Sequence, residues 1–167
     1  ARVLEDVPLD DPRGDRVGVA EAEERAVEVD QGPGLGFEVD EKIIARYRKQ
    51  RLPNYAVFDE VRTFVAGQAP CVFEAAGQRF GVLICEDVWA PEPAAQAKDA
   101  GAECLLVLNA SPFHVGKQAE RLTVAEARAS ENGLPLVYAN MVGGQDELVL
   151  DGGSFALDRQ GRLTAQY

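Results

Sequence analysis

Cys85 is the side chain in this sequence best placed to do chemistry. It closes the apolar run Phe80-Gly81-Val82-Leu83-Ile84 and is followed at once by two acids, Glu86 and Asp87. A cysteine at the carboxyl end of a buried strand stands where open α/β sheets place their ligand crevice. A free cysteine is also often a small buried hydrophobe. Two acids directly after it argue against packing alone, because charges avoid the interior unless they are paired. Lys49 lies in the basic run Arg48-Lys49-Gln50-Arg51, ahead of the Pro-fixed segment Leu52-Pro53-Asn54-Tyr55. Beside Cys85, a lysine would favour the thiolate and stabilise an oxyanion on a substrate carbonyl. Away from it, Lys49 is a solvated charge. Glu60 ends Val57-Phe58-Asp59-Glu60 and reads either as a solvent-side charge or as the carboxylate that holds a lysine or a base. His114 follows Ser111-Pro112-Phe113; Pro112 dictates a loop, so this histidine reads as partly exposed rather than as a partner for Cys85. Cys71 and Cys104 lack a polar context, and Cys104 reads as core.

These residues need a scaffold, and hydrophobic patterning supplies one. Residues 43–47, 80–85, 104–108 and 136–140 read as strands, the last three buried. Residues 91–100 read as a helix with proline near its start and Gly101 after its end. Residues 117–132 read as a second helix, closed by Asn132-Gly133. Residues 148–150 and 154–158 read as strands paired with each other around Asp151-Gly152-Gly153, and Gln160-Gly161 turns the chain into a last strand. Buried strands alternating with helices predict an α/β layered sheet. No repeat and no Walker-type phosphate loop is present.

Composition narrows the function. The 167 residues hold 17 Lys+Arg against 28 Asp+Glu, a net charge of −11. Such a surface repels phosphates, which argues against nucleic acid or an anionic membrane as the partner. No apolar run is long enough to span a bilayer, and no signal peptide opens the chain. Three cysteines, an odd number, argue against a disulfide framework and for a cytoplasmic setting. A single histidine excludes a multi-histidine metal site, and no metal is expected. The acidity is concentrated at the start: residues 1–40 carry 12 acids and 4 bases. Residues 1–36 read as an acidic leader, loosely packed or disordered, with a short helix or strand as the alternative within residues 17–29. Residues 37–167 read as the folded domain.

Taken in order, several strings carry a resemblance. They are Lys49-Gln50-Arg51-Leu52-Pro53-Asn54-Tyr55-Ala56-Val57-Phe58-Asp59-Glu60, Gly81-Val82-Leu83-Ile84-Cys85-Glu86-Asp87-Val88-Trp89, Asn109-Ala110-Ser111-Pro112-Phe113, Gly116-Lys117, and Tyr138-Ala139-Asn140-Met141-Val142-Gly143-Gly144-Gln145-Asp146-Glu147-Leu148 running into Asp151-Gly152-Gly153-Ser154-Phe155. Together they resemble the carbon–nitrogen hydrolase (nitrilase) superfamily and, within it, the glutamine amidase domains of glutamine-dependent NAD(+) synthetases. The resemblance implies a nitrilase-like α-β-β-α sandwich and a Glu-Lys-Cys triad. It implies Cys85 as nucleophile, Lys49 as the triad lysine and Glu60 as an auxiliary glutamate. It further implies Tyr55, Glu86, Ser111 and Lys117 around a glutamine, with Glu86 facing the α-amino group and Lys117 the α-carboxylate. The family usually forms homo-oligomers. The full enzymes use ATP and Mg in a separate synthetase domain, so no cofactor is expected in these residues. The segment 143–147 would lie near the active site and the partner domain; otherwise it is a simple turn.

One piece of the pattern is missing. The family's general-base glutamate stands in an amino-terminal Pro-Glu segment, and this sequence shows none. Glu5, Glu21, Glu23, Glu24 and Glu28 are acids without the buried-strand context that role needs. The fold is therefore expected to be truncated on its amino-terminal side, as a fragment or frameshift product, an inactive relative, or a chain completed by another. General acid–base help is worth about 10²–10⁴-fold, so amidase activity is expected to be impaired. The alternative is a catalytically dead subunit that binds an intact homologue. Action on another small amide or nitrile carries less support.

Overall fold

A computed structural model describes residues 25–29 and 42–167. Its centre is a six-stranded mixed sheet. The strands are β3 (Cys71–Ala75), β4 (Gln78–Ile84), β5 (Cys104–Asn109), β6 (Leu136–Asn140), β9 (Phe155–Leu157) and β10 (Leu163–Gln166), in the spatial order β10-β9-β6-β5-β4-β3. β4, β5 and β6 run parallel, with α1 (Pro91–Asp99) and α2 (Lys117–Asn132) as crossovers. β3, β9 and β10 add antiparallel edges. Two smaller pairs complete the described strands. β1 (Arg25–Val29) lies parallel to β2 (Lys42–Tyr47), and β7 (Val142–Gln145) forms a hairpin with β8 (Leu148–Asp151).

The alternation of side chains along β4 creates the layers. Leu83 points to the helical face, where it meets Leu105, Val107, Leu136 and the alanines Ala94, Ala97, Ala125 and Ala129 of the two helices. Val82 and Ile84 point the other way, to Cys71, Phe73 and Tyr47. Helices, large sheet and β2 therefore stack as successive layers, as the α/β expectation required. Small residues let α1 come close. A Cβ on Gly81 would sit 2.9 Å from the Cβ of Ala97 and 3.0 Å from that of Ala102. The three cysteines are free, and Cys104 is buried as expected.

Both helices and the four strands placed by patterning are present. β3 was not anticipated; it joins β4 through the two-residue turn Ala76-Gly77, with φ of 51° and 75°. The pairing expected around Asp151-Gly152-Gly153 is corrected. β8 pairs with β7, and β9 pairs with β6 and β10. Gly152 and Gly153 both take left-handed φ, 66° and 70°, which turns the chain out of the hairpin plane instead of folding β8 onto β9. The segment 143–147 is thus a strand and tight turn of an exposed hairpin. The expected leader is described only at Arg25–Val29, which forms a strand; the rest of residues 1–36 lies outside the described residues.

Candidate active site

Cys85 begins a short 3₁₀ turn, Cys85–Trp89, where the chain leaves the carboxyl end of β4. Its φ is 47°, a left-handed conformation that disfavours any side chain. The geometry lifts the thiol off the strand axis at the crevice end of the parallel sheet. Burial is the main influence on this thiol and raises its pKa. The Lys49 ammonium pulls in the opposite direction, while Glu86 and Glu60 push it further up. Lysine and cysteine therefore share one site, as expected. As expected, the cation favours the thiolate, while burial is the larger influence and opposes it.

Lys49 follows β2 on a loop tied down by a bond from the Gly67 N–H to the Lys49 carbonyl, 2.9 Å. Its ammonium donates to both carboxylate oxygens of Glu60, at 2.7 and 2.8 Å. Only 12% of the Lys49 side chain and 23% of the Glu60 side chain face solvent. Of the two readings of Glu60, the lysine-holding carboxylate is the one present. Glu60 opens a single 3₁₀ turn, Glu60–Arg62, and its N–H is held by the Pro53 carbonyl at 3.2 Å. The Leu52-Pro53 segment thus brings the carboxylate back over the lysine.

Glu86 and Asp87 take opposite directions. Glu86 turns outward and accepts a hydrogen bond from the Tyr55 hydroxyl, 2.9 Å. Tyr55 is half exposed, yet its hydroxyl is pushed up to about 12, by loss of solvent first and by the neighbouring Glu86 carboxylate second. Between them opens a cavity of about 500 Å³, lined by Gln50, Leu52, Pro53, Tyr55, Phe64 and Glu86 among others. Asp87 turns inward and is fully buried. It accepts from the N–H groups of Ile84 (3.0 Å), Gln50 (2.9 Å) and Arg51 (2.7 Å) and from the Tyr47 hydroxyl (2.9 Å). Burial raises its pKa and these donors oppose the rise.

The remaining expected residues come from beyond β5. Ser111 is buried; its N–H donates to Asn140 Oδ1 at 2.9 Å, and its Oγ accepts from Arg121 Nε at 3.2 Å. Lys117 opens α2 with its ammonium 4.1 Å from the centre of the Trp89 ring, the last residue of the Cys85 turn, and 3.1 Å from Glu120. Arg121, one turn further along, is buried and also binds the carbonyls of Ser111 and Pro112 and the Asp151 carboxylate. Tyr138 is buried on β6, stacked on Phe155 at 4.7 Å, with its hydroxyl close to the Ser111 side chain. Burial raises its pKa, and Cys85 raises it further, so this hydroxyl faces the same site. His114 is half exposed and belongs to the surface loop, 3.8 Å from Glu120, as Pro112 implied.

Sequence reasoning missed Asp87, Arg121 and Tyr138. For Asp87 a signal existed, the second acid after a buried strand. For Arg121 and Tyr138 the sequence carries none, since a helical arginine and a strand tyrosine are ordinary. The acids Glu5, Glu21, Glu23 and Glu24 lie outside the described residues, and Glu28 is placed only by its backbone in β1. Among the described residues no group of three or more His, Cys, Asp or Glu could hold a metal ion, and no helix is long and apolar enough to cross a membrane.

The chain is similar to known proteins in sequence and in fold. The sequence model of the carbon-nitrogen hydrolase family matches residues 34–167. A glutamine-dependent NAD(+) synthetase of Xylella fastidiosa is 49% identical over 126 residues, covering 74% of this chain and 23% of the relative. That of Rhodobacter capsulatus is 41% identical over 157 residues, 84% of this chain and 28% of the relative. The solved glutamine-dependent NAD+ synthetase of Acinetobacter baumannii, in complex with ADP, superposes with a TM-score of 0.69 at 44% identity, over 72% of this chain and 23% of that one. A nitrilase-superfamily amidase from Nesterenkonia superposes at 0.64 and 33% identity, over 72% of this chain and 45% of that one. A mutant of that amidase carries the acetamide moiety of fluoroacetamide covalently added at its active-site cysteine. The chain thus spans about a quarter of the length of these synthetase relatives.

Proposed function

This chain belongs to the carbon–nitrogen hydrolase family, and on that premise we propose that residues 37–167 are the glutamine amidase part of a glutamine-dependent NAD(+) synthetase. The observation that carries the reading is the Lys49–Glu60 pair beside the Cys85 thiol at the carboxyl end of β4. The reaction is glutamine plus water giving glutamate plus ammonia. A base takes the Cys85 proton, and the sulfur adds to the side-chain amide carbon. Lys49 steadies the oxyanion of the tetrahedral intermediate. The amide nitrogen is protonated and leaves as ammonia, which leaves a glutamyl thioester on Cys85. Water then adds to the thioester, the sulfur leaves, and glutamate is released. Glu60 keeps Lys49 in place.

Substrate recognition follows charge. Glu86, held by Tyr55, faces the α-amino group, and Lys117, held over Trp89, faces the α-carboxylate. Tyr55 lines the cavity beside Glu86, and Ser111 is assigned to the substrate pocket by the family resemblance alone. The ammonia is consumed by a synthetase domain, the activity named in the relatives. The base that takes the thiol proton is not assigned to any described residue.

The test is labelling. A thiol-alkylating glutamine analogue should modify Cys85 and be competed by excess glutamine. Labelling should vanish in Cys85→Ala, as should ammonia release from glutamine. Lys49→Ala should keep the fold and lose turnover. A folded chain whose Cys85 reacts no faster with the analogue than with a non-amino-acid alkylator would refute the proposal.

A further inference from the structure

Asp87 holds a position that the reaction above does not use. It is fully buried, and no ion pair balances it among the described residues. Its charge is met instead by four hydrogen bonds from three chain segments. Oδ2 accepts from the Ile84 N–H and the Tyr47 hydroxyl; Oδ1 accepts from the Gln50 and Arg51 N–H groups. These donors bracket the two central side chains. Ile84 immediately precedes Cys85. Gln50 and Arg51 immediately follow Lys49, and Tyr47 stands two residues before it. The two segments are 36 residues apart in sequence at their closest tie, Arg51 to Asp87. We infer that Asp87 is the positioning residue of this site, the shared anchor that fixes the spacing between the Cys85 thiol and the Lys49 ammonium. Its catalytic consequence rests on the amidase reading; its geometric one does not.

The chemistry of the anchor is specific to a carboxylate. Both oxygens face donors, three of them backbone N–H groups that cannot turn away. An asparagine would keep the pair on Oδ1 but point its own N–H₂ at the Ile84 N–H, donor against donor. The turn that carries Cys85 would then shift against the loop that carries Lys49. Glutamate would place the oxygens one methylene too far in a site with no spare room.

The experiment compares Asp87→Asn and Tyr47→Phe with the wild-type 167-residue chain. Asp87→Asn should lower kcat for ammonia release about 100-fold, the scale of a misplacement near 1 Å. KM for glutamine should hardly move, because Tyr55, Glu86 and Lys117 make no bond to Asp87. Alkylation of Cys85 by iodoacetamide reads the geometry independently of glutamine turnover. With Lys49 displaced, the midpoint of its pH profile should rise. Tyr47→Phe removes one donor of four but keeps the Ile84, Gln50 and Arg51 N–H bonds that tie the Cys85 turn to the Lys49 loop, and should leave that midpoint in place. A folded Asp87→Asn with the wild-type alkylation midpoint would overturn the inference. If Asp87→Asn does not fold, amide hydrogen exchange on the wild type decides. The Ile84, Gln50 and Arg51 amides should be protected together; Gln50 and Arg51 exchanging like free loop amides would overturn it. A chain that releases no ammonia, yet shows the raised midpoint in Asp87→Asn, would refute the amidase reading and keep the anchor.

Discussion

Lys49→Met removes the ammonium and keeps most of the stem, which isolates what the charge does. Two consequences follow. The first is stability. Glu60 loses its cation while only 23% of its side chain reaches water. Breaking a fully buried pair from one side costs about 3–5 kcal/mol, and exposed pairs are worth about 0–1 kcal/mol. With 12% and 23% exposure the pair lies between these limits, and a loss of about 2 kcal/mol is expected. For a chain of this size that is a drop of about 4–8 °C in melting temperature. The second is the thiol. Lys49 is the charge that holds the Cys85 pKa down against burial. Without it the pKa rises, and below the midpoint each unit of rise removes about nine-tenths of the thiolate. The rate of Cys85 alkylation at a fixed pH should fall, and its pH profile should move to higher pH. Ammonia release should fall about 10²–10³-fold, the usual loss for one oxyanion donor. The assay is a double-mutant cycle with Glu60→Gln, read by thermal melts and by alkylation from pH 6 to 10. The double variant should recover stability to within about 1 kcal/mol of the wild type without recovering turnover. A double variant as unstable as the sum of the singles would refute the pairing. An unchanged alkylation profile in Lys49→Met would refute the placement of Lys49 beside Cys85.

Two further outcomes test the frame around the site. Cys85 sits at φ 47°, so Cys85→Gly should be about 1 kcal/mol more stable than Cys85→Ala, the reverse of the usual order, as a denaturant titration would show. The Arg121 guanidinium holds the Asp151 carboxyl below the usual carboxylate range. A depressed folded-state value means that this pair stabilises fully above the ordinary aspartate value and loses its contribution as pH falls through the folded one. Wild-type melting temperature should therefore decline below about pH 4 more steeply than that of Arg121→Met. Arg121→Met should itself cost about 2 kcal/mol at pH 7, because it strips the buried Ser111 and Pro112 acceptors of their donor while Asp151 stays in reach of water. Parallel pH–melting curves for the two proteins would exclude the pair as the cause.

The sequence determined the parts that depend on local pattern. Apolar runs ending at charged residues fixed where β4, β5 and β6 lie, because only a buried strand tolerates such a run. Proline at the start and glycine past the end bounded α1, and Asn132-Gly133 closed α2. The family resemblance carried by ordered strings implied that Cys85, Lys49, Glu60, Tyr55 and Glu86 belong to one candidate site. Tertiary structure decided what depends on contacts between distant segments. Asp87 and Glu86 are adjacent acids with nothing to distinguish them in the sequence. The 3₁₀ turn after β4 sends one into the core, against Tyr47, Gln50 and Arg51, and the other out to Tyr55. Glu60 had two open readings until the Leu52-Pro53 loop carried it back onto Lys49. The partner of β8 was misread for the same reason: a glycine pair signals a turn, but which strand the chain meets after the turn is set by left-handed φ at Gly152 and Gly153 and by packing with β6. The balance at Cys85 is tertiary too. Sequence supplied the cation that lowers the thiol pKa; the folded layers supplied the burial that outweighs it.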